Sequence, residues 1–187
     1  MEVDEIIKAV IEFGTEAVLR YRTVASLRHD NELPEVFFGG FVACRLYDRF
    51  RCPVHVEHPY LTVARHREAH ITPDLEERLR QLRADVGLYR QGVPPAIIEF
   101  KILDETCPFS SVVGDIQKAS QLAERFKVDV YLGFMICETA DHLDARVSKL
   151  QDVLGRAVHT GDPQKSASGE WSWCFGCCSL SETDLAG

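Results

Sequence analysis

Residues 128–137, VDVYLGFMIC, form an apolar run broken by one charge, Asp129. A strand with water on one face alternates apolar and polar side chains, so an unbroken run reads as an interior strand with both faces covered. A sheet buried in this way needs helices over it, and the flanking segments supply them. Over 114–127, Ile116, Ala119, Ala123 and Phe126 share one helical face. Over 142–154, Leu143, Val147, Leu150 and Leu154 repeat the pattern before a stop at Gly155.

The rest of the chain fits the same scheme. Val3, Ile6, Ile7, Val10, Ile11, Ala17, Val18 and Tyr21 follow helical spacing, with acids at the N-terminal end. After a polar break at 29–32, Pro34 opens a second helix over 35–50, in which Gly39 and Gly40 require either a closely packed neighbour or a later start. Alternation predicts an edge strand over 53–63, and Thr72-Pro73-Asp74 starts a helix carrying Leu75, Leu79 and Leu82. Two strand-like runs, 83–90 and 95–103, joined by Gln91-Gly92-Val93-Pro94, read as a hairpin. Residues 156–169 read as loop, 170–180 as a last strand and 181–187 as a tail. The expected fold class is α/β, a mixed central sheet flanked by helices.

At 187 residues one domain is expected: a helical extension to about residue 30, a core over about 34–137, and a helix and strand over about 141–180. No run is long enough to cross a bilayer, and Glu2, Asp4 and Glu5 stand where a secretory signal would be basic, so the expected location is the cytoplasm. Seven cysteines, an odd number, read as reduced thiols rather than a disulfide framework. The net charge of −8 excludes a nonspecific polycation. Between Arg45 and Arg90, however, nine arginines face seven carboxylates, a local +2 compatible with a nucleic-acid site or with solvated helix faces.

The chemistry concentrates on Ala96-Ile97-Ile98-Glu99-Phe100-Lys101-Ile102. Alternation sends Glu99 and Lys101 to one side and Ile98, Phe100 and Ile102 to the other. Folding the hairpin brings Asp85, flanked by apolar residues in Ala84-Asp85-Val86-Gly87-Leu88, toward both charges. Two carboxylates on neighbouring strands make a hard oxygen site suited to Mg²⁺, with positions left for water and a phosphate oxygen. Lys101 is placed to orient the water or to stabilise charge on phosphorus.

Asp85, the step to Glu99 and the Glu99-Phe100-Lys101 run together resemble the PD-(D/E)XK nuclease superfamily, with Ala84 standing where the family's name has proline. The likeness spans about 34–137. It implies a restriction-endonuclease-like fold and a Mg²⁺-dependent nuclease, with Mn²⁺ able to substitute, that hydrolyses phosphodiester bonds of nucleic acid, DNA first. Asp85 and Glu99 would be metal ligands and Lys101 the catalytic base or charge stabiliser. Glu35 looks like the glutamate that many members carry on the helix before the first core strand, with Glu57 the alternative. On the following helix Asp115, Gln117, Lys118 and Gln121 are candidates to face the site, although the tyrosine that ends this motif in some subfamilies is absent. Cutting both strands of a duplex from one small domain would call for a homodimer. The competing function is a non-catalytic nucleic-acid-binding or assembly module on the same fold.

Other signals are weaker. His66 and His70 have the spacing of a zinc pair, but Glu68 does not directly follow the first histidine. With Arg65 and Arg67 they read as phosphate contacts or a solvated loop. Cys174 and Cys177 are half of a zinc motif without a second half, and read better as buried thiols. Trp171 and Trp173 read as packing residues rather than base-stacking ones.

Overall fold

The computed structural model describes residues 2–25, 34–67, 71–89, 96–104, 107–166 and 169–180. The apolar run becomes β4 (Val130–Thr139), whose first eight residues are buried. It lies between β3 (Ala96–Leu103), which runs parallel to it, and β7 (Trp171–Ser179), which runs antiparallel. Parallel neighbours need a crossover, and α5 (Phe109–Phe126) makes it. Outside β3 lie β2 (Arg83–Leu88) and then β1 (Val54–Pro59), both antiparallel; β5 (His159–Thr160) and β6 (Gln164–Lys165) pair with the outer side of β7. The result is a mixed seven-stranded sheet.

Alternation along the central strands sends side chains into two cores. Tyr131, Met135 and Cys137 of β4 pack with Trp173 and Phe175 beneath α1 (Val3–Ala25) and α2 (Glu35–Phe50). Leu132, Phe134 and Ile136 pack on the other face beneath α3 (Tyr60–Arg67), α4 (Pro73–Arg80), α5 and α6 (Leu143–Leu154). The first helix is therefore not an appendage. Ile6, Val10, Phe13 and Ala17 are buried on the sheet, and at Gly14 an added Cβ would sit 2.3 Å from the Phe175 ring. No helix among the described residues is long and apolar enough to cross a membrane.

Three elements differ from the sequence expectation. The edge strand stops at Pro59 rather than at residue 63: the ladder ends at Pro59↔Arg83, and Tyr60, Val63 and Ala64, at helical spacing, turn into the core as the buried side of α3. The crossover helix begins at Phe109 rather than 114, because Pro108 supplies an extended N-cap (φ −72 is that of Pro34, and Pro108 has φ −70) and Phe109 and Val112 join the apolar face. The polar stretch 156–169 contributes β5 and β6, strands of two residues, too short to show a period. The hairpin turn 91–94, the break at 29–32, His70 and the tail lie outside the described residues.

Candidate active site

β2 and β3 pair through Val86↔Ile98, Gly87↔Ile97 and Leu88↔Ala96. The next register step would set Asp85 opposite Glu99, but there the two strands part; Ala84 and Arg83 pair with β1. Alternate residues of a regular strand share a face, yet Ala84 packs in one core and Val86 in the other, so β2 turns at Asp85. Glu57, between the pairs Val56↔Val86 and His58↔Ala84, takes the left-handed conformation at φ 49, which gives β1 the same bend.

Where the strands separate, two backbone N–H groups of β3 are taken up by carboxylates. Asp85 Oδ2 accepts from Phe100 N at 2.6 Å, and Glu35 Oε1 accepts from Ile102 N at 3.0 Å. Gly39 of the same helix lies beside the turn of β2, where a Cβ would be in ordinary van der Waals contact, 3.6 Å from the Asp85 carbonyl oxygen, and Glu35, one helical turn earlier, reaches the end of β3. Gly39 thus has a neighbour in β2, at a distance that would also accept a Cβ, while no described residue would lie within 4 Å of a Cβ at Gly40.

Asp85, Glu99 and Lys101 converge on one cleft of about 240 Å³, together with Tyr60, Arg83, Asp115 and Lys118. The Tyr60 hydroxyl donates to Glu99 Oε1. Lys101 Nζ lies 3.7 Å from Glu35 Oε2 and 3.7 Å from Asp115 Oδ2. Burial first, with Asp85 adding repulsion, pushes the Glu99 carboxyl up to about 8, against the opposing pull of Tyr60 and Lys101. Burial also raises Asp85, with the charges of Glu35 and Glu57 behind it and the Phe100 N–H and Lys101 opposing. For Lys101 burial disfavours the charge, but the surrounding carboxylates outweigh it and hold the ammonium above its ordinary range. Tyr60 is raised by burial and by Glu99.

Among the described residues no three His, Cys, Asp or Glu side chains are grouped to enclose a metal ion. The donor set here is a pair of carboxylates, which matches the way Mg²⁺ binds through one or two carboxylates while keeping its remaining shell for water and phosphate. A divalent cation would also favour the ionised forms of Asp85 and Glu99, which burial disfavours.

The other expected residues are placed as follows. Glu35 reaches Lys101, whereas Glu57 is exposed and touches the site only through its field on Asp85. Lys118 lines the cleft, held by Asp115 at 3.1 Å. Gln117 lies instead in a groove beside α6, and Gln121 lines that groove and another next to the cleft. Arg65 pairs with Glu76 at 2.9 Å, and Arg67 donates to the carbonyls of Phe126 and Lys127 at the end of α5. Cys174 and Cys177 belong to opposite cores and cannot share a zinc ion; burial pushes the Cys174 thiol up to about 12. Trp173 is wholly buried in the core beneath α1 and α2, and Trp171 packs against it. His66 is helical and lies against Tyr89, not in a loop.

Sequence reading missed Tyr60 and Arg83. Tyr60 sits in the segment read as strand, and only its helical spacing to Val63 and Ala64 signals that it turns inward. In comparisons with protein-family models, curated proteins and solved structures the chain matches none, so the cleft's own residues carry what is said of its chemistry.

Proposed function

We propose that this protein is a Mg²⁺-dependent nuclease on a restriction-endonuclease-like fold, cleaving phosphodiester bonds of nucleic acid, DNA first, with Mn²⁺ able to substitute. The observation that supports this most is the meeting of Asp85, Glu99 and Lys101 in a single cleft, on two strands that part at that point. Asp85 and Glu99 would hold the ion, which when bound polarises the phosphodiester and acidifies an attacking water. Lys101, fixed between Glu35 and Asp115 and kept charged by them, serves as a stabiliser of negative charge on phosphorus rather than as a base. Tyr60 holds one oxygen of Glu99 and so sets the direction of that carboxylate. Pairing of two copies would supply two sites for a duplex.

A second reading, an assembly or binding module without cleavage, draws on the structural use of two carboxylates: Asp85 and Glu35 satisfy N–H groups of β3 whether or not an ion is bound. The test is incubation of the purified protein with linear, circular and single-stranded DNA and with RNA, in Mg²⁺, Mn²⁺ or EDTA. Cleavage that needs the divalent ion and disappears in Asp85→Asn and Lys101→Ala is expected. No cleavage of any substrate with either ion would leave the binding module as the better account.

A further inference from the structure

Three cations line the cleft, and two of them are held by acids: Lys101 lies between Glu35 and Asp115, and Lys118 is bound by Asp115. The third, Arg83, is held differently. It is exposed at the start of β2, and its Nη1 donates to the carbonyl oxygens of Arg80 at 2.9 Å and Leu82 at 3.2 Å, where α4 ends. Carbonyls at a helix end orient a guanidinium without neutralising it. The two N–H groups of Nη1 are matched by the two carbonyls. The outer edge of the guanidinium, where Nε and Nη2 point their hydrogens in parallel, meets no acceptor among the described residues. That edge has the geometry of two phosphate oxygens. The Leu82 carbonyl also accepts from the Tyr60 backbone N–H at 3.2 Å. One carbonyl therefore ties Arg83 to the residue whose hydroxyl holds Glu99, which sets the guanidinium in a fixed relation to the carboxylate pair.

We propose that Arg83 is a substrate-binding residue that holds, through Nε and Nη2, a phosphate flanking the one cleaved, and so fixes the strand relative to Asp85 and Glu99. The substrate class rests on the nuclease reading above; the choice of Arg83 rests on its anchoring. A guanidinium already oriented by backbone loses little freedom when a phosphate arrives, so the contact costs less entropy than one made by a loose side chain. The flanking phosphate keeps its charge through the reaction, so the contact is as strong before the transition state as in it and acts on binding rather than on the chemical step. It carries no sequence information, because every nucleotide supplies the same phosphate. A lysine at position 83 would keep the charge and lose the paired donors.

Binding of a fluorescein-labelled single-stranded oligodeoxynucleotide is read by anisotropy in Ca²⁺ over a range of salt, and its cleavage in Mg²⁺, for the wild-type protein, Arg83→Gln, Arg83→Lys and Lys8→Gln. The last removes one charge from the exposed side of α1, across the sheet. Arg83→Gln is expected to bind on the order of tenfold more weakly, as for one lost charge-assisted contact, with its slope of log K against log salt smaller by about 0.7. Its KM should rise with kcat little changed. Arg83→Lys should keep the wild-type slope and bind with intermediate affinity, and Lys8→Gln should match the wild-type protein. Urea unfolding of each variant separates a lost contact from a lost fold. Equal weakening in Lys8→Gln, weaker binding of Arg83→Gln at an unchanged slope, a loss explained by the fraction unfolded, or no binding by the wild-type protein would each overturn the assignment. Binding that depends on Arg83 without cleavage in Mg²⁺ or Mn²⁺ would sink the catalytic reading and leave Arg83 as the phosphate contact of a binding module. Cleavage lost in Asp85→Asn but with KM unchanged in Arg83→Gln would sink the role of Arg83 alone.

Discussion

Asp85 and Phe100 are joined by a hydrogen bond from a backbone N–H to a carboxylate oxygen, 2.6 Å long, at the place where their strands separate. The carboxylate stands in for the strand that has turned away, so Asp85 has a structural duty as well as a chemical one. Truncation and neutralisation should therefore differ. Asp85→Ala leaves the Phe100 N–H without an acceptor and is expected to cost about 1–3 kcal/mol, whereas Asp85→Asn keeps a carbonyl oxygen there and loses less. Both should lose cleavage. Urea unfolding of the two variants separates the roles, and equal stability would show that the bond contributes nothing.

Lys101 is half-buried on the polar side of β3 and contributes little core volume. Lys101→Met should fold and bind DNA in Ca²⁺ much as the wild-type protein does, yet cleave on the order of 10²–10³-fold more slowly, the usual loss when one charge-stabilising group is removed. Single-turnover cleavage at saturating enzyme is the measurement; a rate within severalfold of wild type would deny Lys101 its part.

Tyr60 acts through Glu99. Its hydroxyl favours the ionised carboxylate, so in Tyr60→Phe the carboxyl should hold its proton to higher pH. The expected result is an upward shift of about one pH unit in the midpoint for Mn²⁺ binding, read from the electron paramagnetic resonance signal of the free ion, since a hydrogen bond to a charged group contributes about 1.5–3 kcal/mol. A general loss of packing would lower the fraction folded without moving that midpoint.

Stability without divalent ions should fall as pH rises. The folded protein keeps the Glu99 proton to about pH 8, while the unfolded chain releases it near 4.5, so between these values the folded state binds more protons. The contribution is complete below the lower value and lost as pH approaches the upper one. Glu99→Gln should remove on the order of 2–4 kcal/mol of this dependence, with a remainder of the same sign from Asp85. Chemical unfolding in EDTA across that window checks it; an unchanged dependence in the variant would mean that Glu99 ionises normally.

What could be read from the residues depended on whether one period or several elements carried the signal. The interior strand was legible because eight buried residues in succession leave no polar face to hide, and Glu99 with Lys101 because period two puts them together on any strand. Tyr60 to Val63 was not, since four residues fit either a period of two or one of 3.6, and the choice was made by Pro59 and by packing beneath the sheet. The part of Glu35 required knowing that it reaches the Ile102 N–H, a contact between residues far apart in sequence. Arg65 and Arg67, adjacent enough in sequence to look like a patch, turn to Glu76 and to the end of α5.

The seating of α1 on β7 joins residues about 160 positions apart, Gly14 with Phe175. A ribosome makes the helix early and the strand late, so the face of the sheet above Trp173 and Phe175 cannot close until nearly all of the described chain has emerged. Until then the apolar side of α1 and the unpaired edge of β4 remain open to other chains, and contacts this distant in sequence form slowly. A destabilising change at Gly14 would therefore be felt first as poor yield during synthesis and capture by chaperones, before any defect in the finished molecule.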